Sequence, residues 1–564
     1  MMFLNKLKDK YRAIDIVPSF LFVVSIFLGG LREFNEWVIF SLMLIGIFLF
    51  FRKKIKIEEV GLWLVFGVWI LISIFFSHVP PESFWQFSKY LLFILFFCFT
   101  ASSTKPALKL WVFVVFGFAL LSAITVFYQT SDFSLLLPKN PNYTASFFAA
   151  CAAALVLLIS SVRSIKARAL AAALLMVFFS AIIVVGSRGA LLSFIIVSML
   201  ILIYRGYYRT FIISLFLIAL SLIFLPQELI GNLLKTYDSH AFQRLNIWKT
   251  AFEGIYLHPI WGYGAGGFEN LFAHLKFPAF DGLSYFGHYA RHAHSEILNI
   301  AATSGIAAAV IFIAAFIKSL KFEIKNNIYA DIVRVFAITV FLQSCVDIIF
   351  YSGSLNLLFF GSLGFIASFS EIKKNQSNNT IKPSVLILLS IVLVGSLYIK
   401  QKHDSLRDRV LNHRPLDSWK VSGLEKISKF NEGDEVLLFK IAKTKYSINS
   451  NYVSTLAYCR QAEKIYPLSW TFKLMQAEIY FNALNYSKAK EKIKETLTIE
   501  PNCLSARLLL SEILYIEGQF KDSLKETLVM DKIIRKSKSL RLSNYNKRVL
   551  GFNKDRYDEL INQL

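Results

Sequence analysis

Long runs of apolar residues set the first limit on what this chain can fold into. Of its 564 residues, 55% are hydrophobic and 18% are charged. The apolar residues gather in runs of roughly 17–22 residues, each long enough to cross a hydrocarbon core about 30 Å thick. The sequence therefore predicts an all-α fold, in which residues 1–400 form a polytopic membrane helical bundle of about 12–13 spans and a soluble α-helical domain follows. The predicted spans cover 14–31, 36–51, 59–76, 84–100, 109–127, 143–161, 167–185, 189–204, 209–225, 295–318, 330–351, 353–370 and 382–400.

The distribution of Lys and Arg predicts how these spans are oriented. Four basic residues precede the first run and no signal-peptide cleavage site follows it, so we expect a retained first span with its N-terminus in the cytoplasm. Alternation then places the basic loops 51–56, 163–168 and 204–209 in the cytoplasm, as the positive-inside rule requires. The same alternation places the loop 226–294 and the tail 401–564 on the periplasmic side of a bacterial inner membrane.

The net charge of +23 and the five cysteines restrict the function further. The basic residues cluster in short loops and in the tail, and no nucleic-acid-binding motif accompanies them, so a nucleic-acid partner is not predicted. The cysteines form no CxxC pair, which argues against a metal site or a redox pair. Walker, Rossmann, GxSxG and HExxH patterns are absent as well, so the sequence gives no support for those enzyme classes.

The tail 401–564 is charged and contains an internal repeat. Pro467 and Pro501 stand at matching positions of two copies, and several apolar residues match at the same offset. The repeats are clearest at 467–534, and a degenerate copy would occupy 435–466. The offset is that of the tetratricopeptide repeat, a helix pair of about 34 residues, and such arrays bind protein or peptide partners. A periplasmic tetratricopeptide-like domain with a protein partner is therefore one prediction, and an irregular helical domain that stabilises the membrane part is the alternative.

Two arginines are candidates at the predicted periplasmic face. Arg188 lies in the turn Gly186-Ser-Arg-Gly189 between two spans, and Arg244 lies in the segment 242–248 of the long loop. The Arg188 guanidinium lies close to hydrocarbon, which is costly unless the charge is paired or faces a polar cavity, and the planar fork of an arginine suits phosphate oxygens. We therefore predict an anion site at Arg188. For Arg188, snorkelling from a helix end is the alternative.

Histidines and charges inside the apolar runs complete the candidates. His292 and His294 precede a predicted span, and an imidazole there suits a general base near neutral pH. An interfacial polar role is the alternative for each histidine. No third ligand accompanies the pair in a typical arrangement, so no metal is predicted. Lys89 and Asp347 lie within apolar runs, where an ionisable group is either functional or a structural partner of another charge.

Six short segments follow one another along the chain: Asn140-Pro-Asn-Tyr143, Ser187-Arg-Gly189, Arg244-Leu-Asn-Ile-Trp248, Pro259 through Gly266, His294, and Thr303-Ser-Gly-Ile306. In order, spacing and membrane side they resemble the O-antigen ligase family, whose relatives include O-antigen polymerases and bacterial O-oligosaccharyltransferases. The resemblance covers the membrane part and is strongest over 140–310. One position departs from it, because the family usually has Asn after this histidine and the chain has Ser295.

The resemblance implies a glycosyltransferase that moves a glycan from an undecaprenyl-diphosphate carrier to a periplasmic acceptor, without a metal or cofactor. It implies that Arg188 and Arg244 bind the diphosphate and that His294 activates the acceptor. The secondary candidates are Lys89, Asn142, His292, Ser295 and Asp347. The expected partners are the undecaprenyl-diphosphate-linked glycan, membrane lipids, and lipid A core or a protein as acceptor.

Two other functions compete with this interpretation. An O-antigen or polysaccharide polymerase would use a growing glycan as the acceptor, but the repeat domain favours a ligase or protein O-oligosaccharyltransferase with a protein partner. A transporter or flippase should show two matched halves with broken helices near the midplane. The sequence shows no such symmetry, and its polar residues gather at one face.

Overall fold

The computed structural model describes residues 13–50, 55–128, 140–213, 216, 243–275, 290–322, 327–369, 380–412, 425, 428, 434–449, 452–538 and 544–564. These residues are helical almost throughout, which confirms the predicted all-α fold. Two short strands, β1 (Ile55–Lys56) and β2 (Thr380–Ile381), pair antiparallel with Ile55 opposite Ile381. Within the described residues up to 412, the helices are α1 Ala13–Phe27, α2 Phe34–Phe50, α3 Ile57–Ser73, α4 Pro80–Ala101, α5 Lys105–Tyr128, α6 Pro141–Ser161, α7 Ile165–Val185, α8 Arg188–Tyr204, α9 Gln243–Leu257, α10 Phe268–Leu275, α11 Glu296–Ser304, α12 Ile306–Leu320, α13 Ile328–Ser344, α14 Gly353–Ser368 and α15 Pro383–Asn412. The tail adds α16 Glu435–Asn449, α17 Tyr452–Ile465, α18 Trp470–Asn482, α19 Tyr486–Ile499, α20 Leu504–Ile516, α21 Phe520–Ser537, α22 Asn544–Val549 and α23 Lys554–Gln563.

The chain divides into two compact units. Unit 1 comprises 1–73, 84–238 and 294–398, and it holds the apolar helices. Among the described residues, five helices are long and apolar enough to cross a membrane, and several shorter apolar helices accompany them. The five are Pro80–Ala101, Lys105–Tyr128, Pro141–Ser161, Ile165–Val185 and Ser384–Asp408. The chain is therefore a multi-pass membrane protein. Most of the predicted span 209–225 lies outside the described residues.

Aromatic residues fill the interior of unit 1. Trp63 is buried, and its ring lies 4.9 Å from that of Phe360 and 5.4 Å from that of Phe312. Its indole N–H donates to Ser319 Oγ at 3.1 Å, so the polar atom of this buried side chain is satisfied. Such packing fixes α3, α12 and α14 against one another.

The predicted span 295–318 is not one helix. It is broken at Gly305, which takes φ 89° and ψ 161° and separates α11 from α12. Glycine adopts this left-handed backbone without the steric penalty that a side chain would bring. The indole N–H of Trp69 donates to the carbonyl of Ser304 at 3.0 Å, which satisfies an acceptor exposed by the break.

The predicted span 330–351 also ends early, because α13 stops at Ser344. A turn follows, and Ile349–Tyr351 form a single 3₁₀ turn before α14. In this interruption Asp347 Oδ1 accepts the backbone N–H of Ile348 at 2.8 Å. An aspartate side chain that accepts a nearby backbone N–H competes with the helix for that donor. The break therefore leaves Asp347 in the turn just after α13. In contrast to these shortened helices, α15 continues to Asn412, well past the predicted end of its span at 400.

Unit 2 joins three segments that are distant in sequence: 74–83, 239–293 and 399–564. The backbone N–H of His78 donates to the carbonyl of Tyr263 at 3.0 Å, and Lys400 Nζ lies 2.6 Å from Glu82 Oε1. His274 Nδ1 contacts the carbonyl of Ile465. These contacts hold the three segments of unit 2 together.

The helices of the tail recur in pairs. Second helices begin at Tyr452, Tyr486 and Phe520, which are evenly spaced at the offset that separates Pro467 from Pro501. The first helices of the last two pairs begin at Trp470 and Leu504, with the same spacing. The helix boundaries therefore carry the period seen in the sequence, while the assignment to the tetratricopeptide class stays a prediction.

Candidate active site

Arg188 is the first residue of α8, at the end of a tight turn. Gly186 closes α7 in the left-handed conformation at φ 70°, and Ser187 caps α8 by accepting the backbone N–H of Ala190 at 3.4 Å. The Arg188 side chain is exposed. The start of a helix carries partial positive charge and unpaired N–H groups. An arginine at this position adds to that charge, so the turn is suited to an anion.

His294 lies beside Asp347 in unit 1. The Nδ1 atom of His294 is 3.9 Å from Oδ1 of Asp347, and Asp347 is only 2% exposed. This distance allows an ion pair but is too long for a hydrogen bond, and Nδ1 has no hydrogen-bond partner among the described residues. His294 also holds φ at 50°. Left-handed non-glycine residues are uncommon and gather at functional sites.

The residue after His294 is Ser295, where the family that the sequence resembles usually has asparagine. Ser295 is the N-cap of α11, and its Oγ accepts the backbone N–H of Leu298 at 3.5 Å. Asn and Ser are both strong N-cap residues, so either can begin this helix and fix the backbone next to His294. His292 is half-buried and belongs to unit 2.

Three helix ends meet around Asp347. Gln343 Nε2, near the end of α13, donates to the carbonyl of Asn142 in the first turn of α6 at 3.3 Å. A Cβ atom on Gly189, at the start of α8, would lie 3.6 Å from Cγ of Gln343 and 3.9 Å from Oδ2 of Asp347. The starts of α6 and α8 and the end of α13 therefore share one end of unit 1. This end also contains His294.

Lys89, which belongs to α4, lies over three aromatic rings. Its Nζ lies 4.5 Å from the ring centre of Trp85, 5.4 Å from that of Tyr351 and 5.8 Å from that of Trp37. These are cation–π distances. Glu296, in the first turn of α11, interacts electrostatically with Lys89 and accepts the phenol O–H of Tyr90 at 3.0 Å. The predicted intramembrane charge is therefore held by aromatic faces and a carboxylate.

Arg32 is a further cation near these residues, and none of the sequence motifs includes it. Its guanidinium carbon lies 5.0 Å from the ring centre of Tyr143, the residue after Asn142. Asp347 and Tyr351 act electrostatically on the same tyrosine. A signal was present in the sequence, because Arg32 stands in the loop between the first two predicted spans, on the side that is otherwise poor in Lys and Arg.

Arg244 belongs to unit 2, where it lies in the first turn of α9 and is half-buried. Its convergence with Arg188 and His294 stays a prediction.

The glycine-rich segment after α9 packs closely against another segment of unit 2. A Cβ atom on Gly264 would lie 2.2 Å from Ser77 Oγ, and one on Gly267 would lie 2.3 Å from a methyl group of Val79. The close approach that these glycines permit is thus to the segment 74–83 of unit 2.

A histidine cluster in unit 2 includes His78 of the segment 74–83. The ring of His258 lies 5.1 Å from that of His78 and 5.6 Å from that of Tyr263. Burial lowers the pKa of His258 below its usual value, and the nearby His78 and His274 lower it further. Two neighbouring imidazoles disfavour a third positive charge, so the lowered pKa of His258 keeps that side chain neutral to lower pH than a free histidine.

A polar cavity of about 380 Å³ also lies within unit 2. Several of its charged groups pair with one another: Lys400 Nζ lies 2.6 Å from Glu82 and 2.9 Å from Asp404, and Arg407 is bidentate to Asp434 at 2.5 and 3.3 Å. An internally paired network of this kind ties the end of α15 to the tail helices. We therefore assign it a structural role.

Comparison with known families bears on the same residues. Residues 171–313 match the family model described as O-Antigen ligase. That stretch runs from α7 into α12 and contains Arg188, Arg244 and His294. No curated protein matches the chain.

Proposed function

We propose that this chain, a member of the O-antigen ligase family through its domain at residues 171–313, transfers a glycan from an undecaprenyl-diphosphate carrier to a periplasmic acceptor. The family match itself supports glycan transfer of the ligase or polymerase type, and so an enzymatic role. One observation carries the finer proposal. His294, inside the matched stretch, faces the buried carboxylate of Asp347 at the end of the bundle where Arg188 begins α8.

His294 acts as the general base in this proposal. A hydroxyl of the acceptor loses its proton to the imidazole while its oxygen bonds to the anomeric carbon of the donor sugar. The bond from that carbon to the diphosphate breaks at the same time. A carboxylate facing Nδ1 holds the ring and stabilises the imidazolium that forms. The 3.9 Å distance between Asp347 and His294 supports this role, and such contacts commonly tighten when substrate binds.

Arg188 and Arg244 stabilise the leaving group. The diphosphate gains negative charge as the glycosyl bond breaks, and fixed guanidinium groups are aimed at that charge before it develops. Arg188 acts together with the first N–H groups of α8. A carrier confined to the bilayer would reach this position from the lipid, because the turn joins two apolar helices.

The acceptor is proposed to be lipid A core or a protein. Two features support a periplasmic reaction with a protein partner. The segments 74–83, 239–293 and 399–564 share one unit, which agrees with the topology that places all three outside the cytoplasm. Paired helices that repeat with the tetratricopeptide period are typical of partner-binding arrays.

Gene deletion tests this proposal and identifies the acceptor. We expect that glycan staining of a deletion strain shows loss of glycan from lipopolysaccharide or from periplasmic glycoproteins, restored by the wild-type gene but not by His294→Ala. Altered chain length with attachment intact would instead indicate a polymerase. Unchanged glycans in both fractions would contradict the proposed function.

A further inference from the structure

Arg32 is fixed in an unusual turn between α1 and α2. Gly29, Gly30 and Leu31 take φ values of 69°, 82° and 54°, so three successive residues are left-handed. The carbonyl of Gly30 accepts the backbone N–H of Gly353 at 2.7 Å, at the start of α14. A Cβ atom on Gly353 would lie 2.4 Å from Cβ of Leu31, so the two segments are in close contact. The position of Arg32 is therefore set by its backbone.

The guanidinium of Arg32 has polar atoms that protein does not satisfy. Its Nε and Nη2 are buried, and neither has a hydrogen-bond partner among the described residues. The nearby carboxylate of Glu36 is taken up by backbone, since its Oε2 accepts the N–H groups of Arg32 and Glu33 at 2.6 and 3.1 Å. The Tyr143 ring covers the cation but offers no acceptor in the guanidinium plane.

These two atoms form one edge of the guanidinium plane, which is the edge that grips an oxyanion through two parallel bonds. The chain shows the filled form of this contact elsewhere. Arg407 uses Nε and Nη2 to hold the two carboxylate oxygens of Asp434. Burying such donors unpaired is expensive, so the same edge on Arg32 is suited to an anion from outside the protein.

The position of Arg32 identifies the anion. Tyr143 adjoins Asn142, whose carbonyl accepts from Gln343, and Gln343 precedes the turn that holds Asp347. Arg32 thus lies at the same end of unit 1 as His294 and the start of α8. A tetrahedral phosphate presents pairs of oxygens to a planar fork, and a diphosphate is long enough to contact more than one arginine.

We propose that Arg32 binds a phosphoryl group of the lipid-linked donor, as a further residue of the diphosphate site. The inference rests on the proposed function. It adds a contact from the turn between α1 and α2 to a site otherwise built from residues between 171 and 313.

The test is binding of undecaprenyl diphosphate, without glycan, to the purified full-length protein. Arg32→Gln should weaken binding by about tenfold to a hundredfold, the range for a hydrogen bond to a charged group. Arg32→Lys should recover part of the loss, because it keeps the charge and loses the fork. The matched control is Arg205→Gln at the opposite end of α8. Arg205 lies over Tyr204 at 5.9 Å and pairs with Asp331 at 3.6 Å, and its loss should leave binding unchanged.

Other results would overturn the assignment. If Arg188→Gln weakens binding while Arg32→Gln does not, the donor site exists and Arg32 is outside it. If Arg32→Gln releases co-purified phosphatidylglycerol but binds undecaprenyl diphosphate normally, Arg32 holds a membrane lipid headgroup instead. If the wild-type protein does not prefer undecaprenyl diphosphate to undecaprenol, the proposed function itself fails. Should Arg32→Gln not fold, the graded loss in Arg32→Lys decides the matter.

Discussion

The imidazole of His294 faces the carboxylate of Asp347 at 3.9 Å, and each of the two residues lies just outside the end of a helix. His294 stands just before α11, which ends at Gly305, and Asp347 stands in the turn after α13. Irregular backbone at membrane depth is tolerated where it is buried in protein or lines a polar cavity. The pair therefore marks the place where this bundle departs from regular helices in order to position ionisable side chains.

Asp347→Asn should lower glycan transfer by roughly 10²-fold or more, the range for a disrupted general base. The amide cannot stabilise the imidazolium, whereas binding of the carrier should persist. Asp331→Asn is the matched control, because Asp331 pairs with Arg334 at 3.2 Å near the other end of α13. In vitro transfer rates compare the two variants. Equal rates in both would remove Asp347 from the proposed site.

Ser295→Asn should keep transfer near the wild-type rate, since Asn can also cap α11. Ser295→Ala should lower the free energy of unfolding by about 1 kcal/mol through loss of the cap. Thermal unfolding of both variants in detergent measures the difference. An Asn variant that folds normally but does not transfer would show that Ser295 has a chemical role beyond capping.

The stability of unit 2 should fall as the pH drops below about 6.5, because burial and neighbouring imidazoles lower the pKa of His258 from that value. Between the folded and unfolded pKa values the unfolded chain binds the extra proton, so acid favours unfolding. Melting temperatures between pH 7.5 and pH 5.5 test this. His258→Gln should make the decline shallower, and an unchanged decline would exclude His258 as its source.

Leu484→Gly should raise the free energy of unfolding of the tail helices by about 0.5–1 kcal/mol, after the higher chain entropy of glycine is subtracted. Leu484 takes φ 57° and is 73% exposed, and Gly518 fills the same position one repeat later at φ 79°. Gly518→Ala is the reciprocal control. It meets no atom within 4 Å, so its cost is conformational and should have the opposite sign. Denaturant unfolding of the two variants measures both effects.

The sequence predicted the helices of unit 1 well, because a run of apolar residues long enough to cross a bilayer can adopt few structures other than a helix. It did not predict the breaks at Gly305 and after Ser344. Hydropathy does not reveal that the Asp347 side chain captures a backbone N–H. For the same reason the pairing of His294, before α11, with Asp347, in the turn after α13, could not be derived from spacing.

The candidate site was predicted in part. His294, Asp347 and Asn142 meet or adjoin at one end of unit 1, as their shared membrane side suggested. Arg32 was missed because no motif surrounds it, and its place depends on the contact between Gly30 and Gly353. The packing of the glycine-rich segment 261–268 against 74–83 could not be derived from the sequence, because it depends on three-dimensional contacts between distant segments.

Transfer in vitro from a purified undecaprenyl-diphosphate-linked glycan, with carrier binding assayed separately, tests the central claim most directly. The account predicts that His294→Ala lowers transfer by roughly 10²-fold or more while the carrier still binds, and that His292→Ala has a milder effect. Near-normal transfer by His294→Ala, or greater damage from His292→Ala, would contradict the assignment of His294 as the general base.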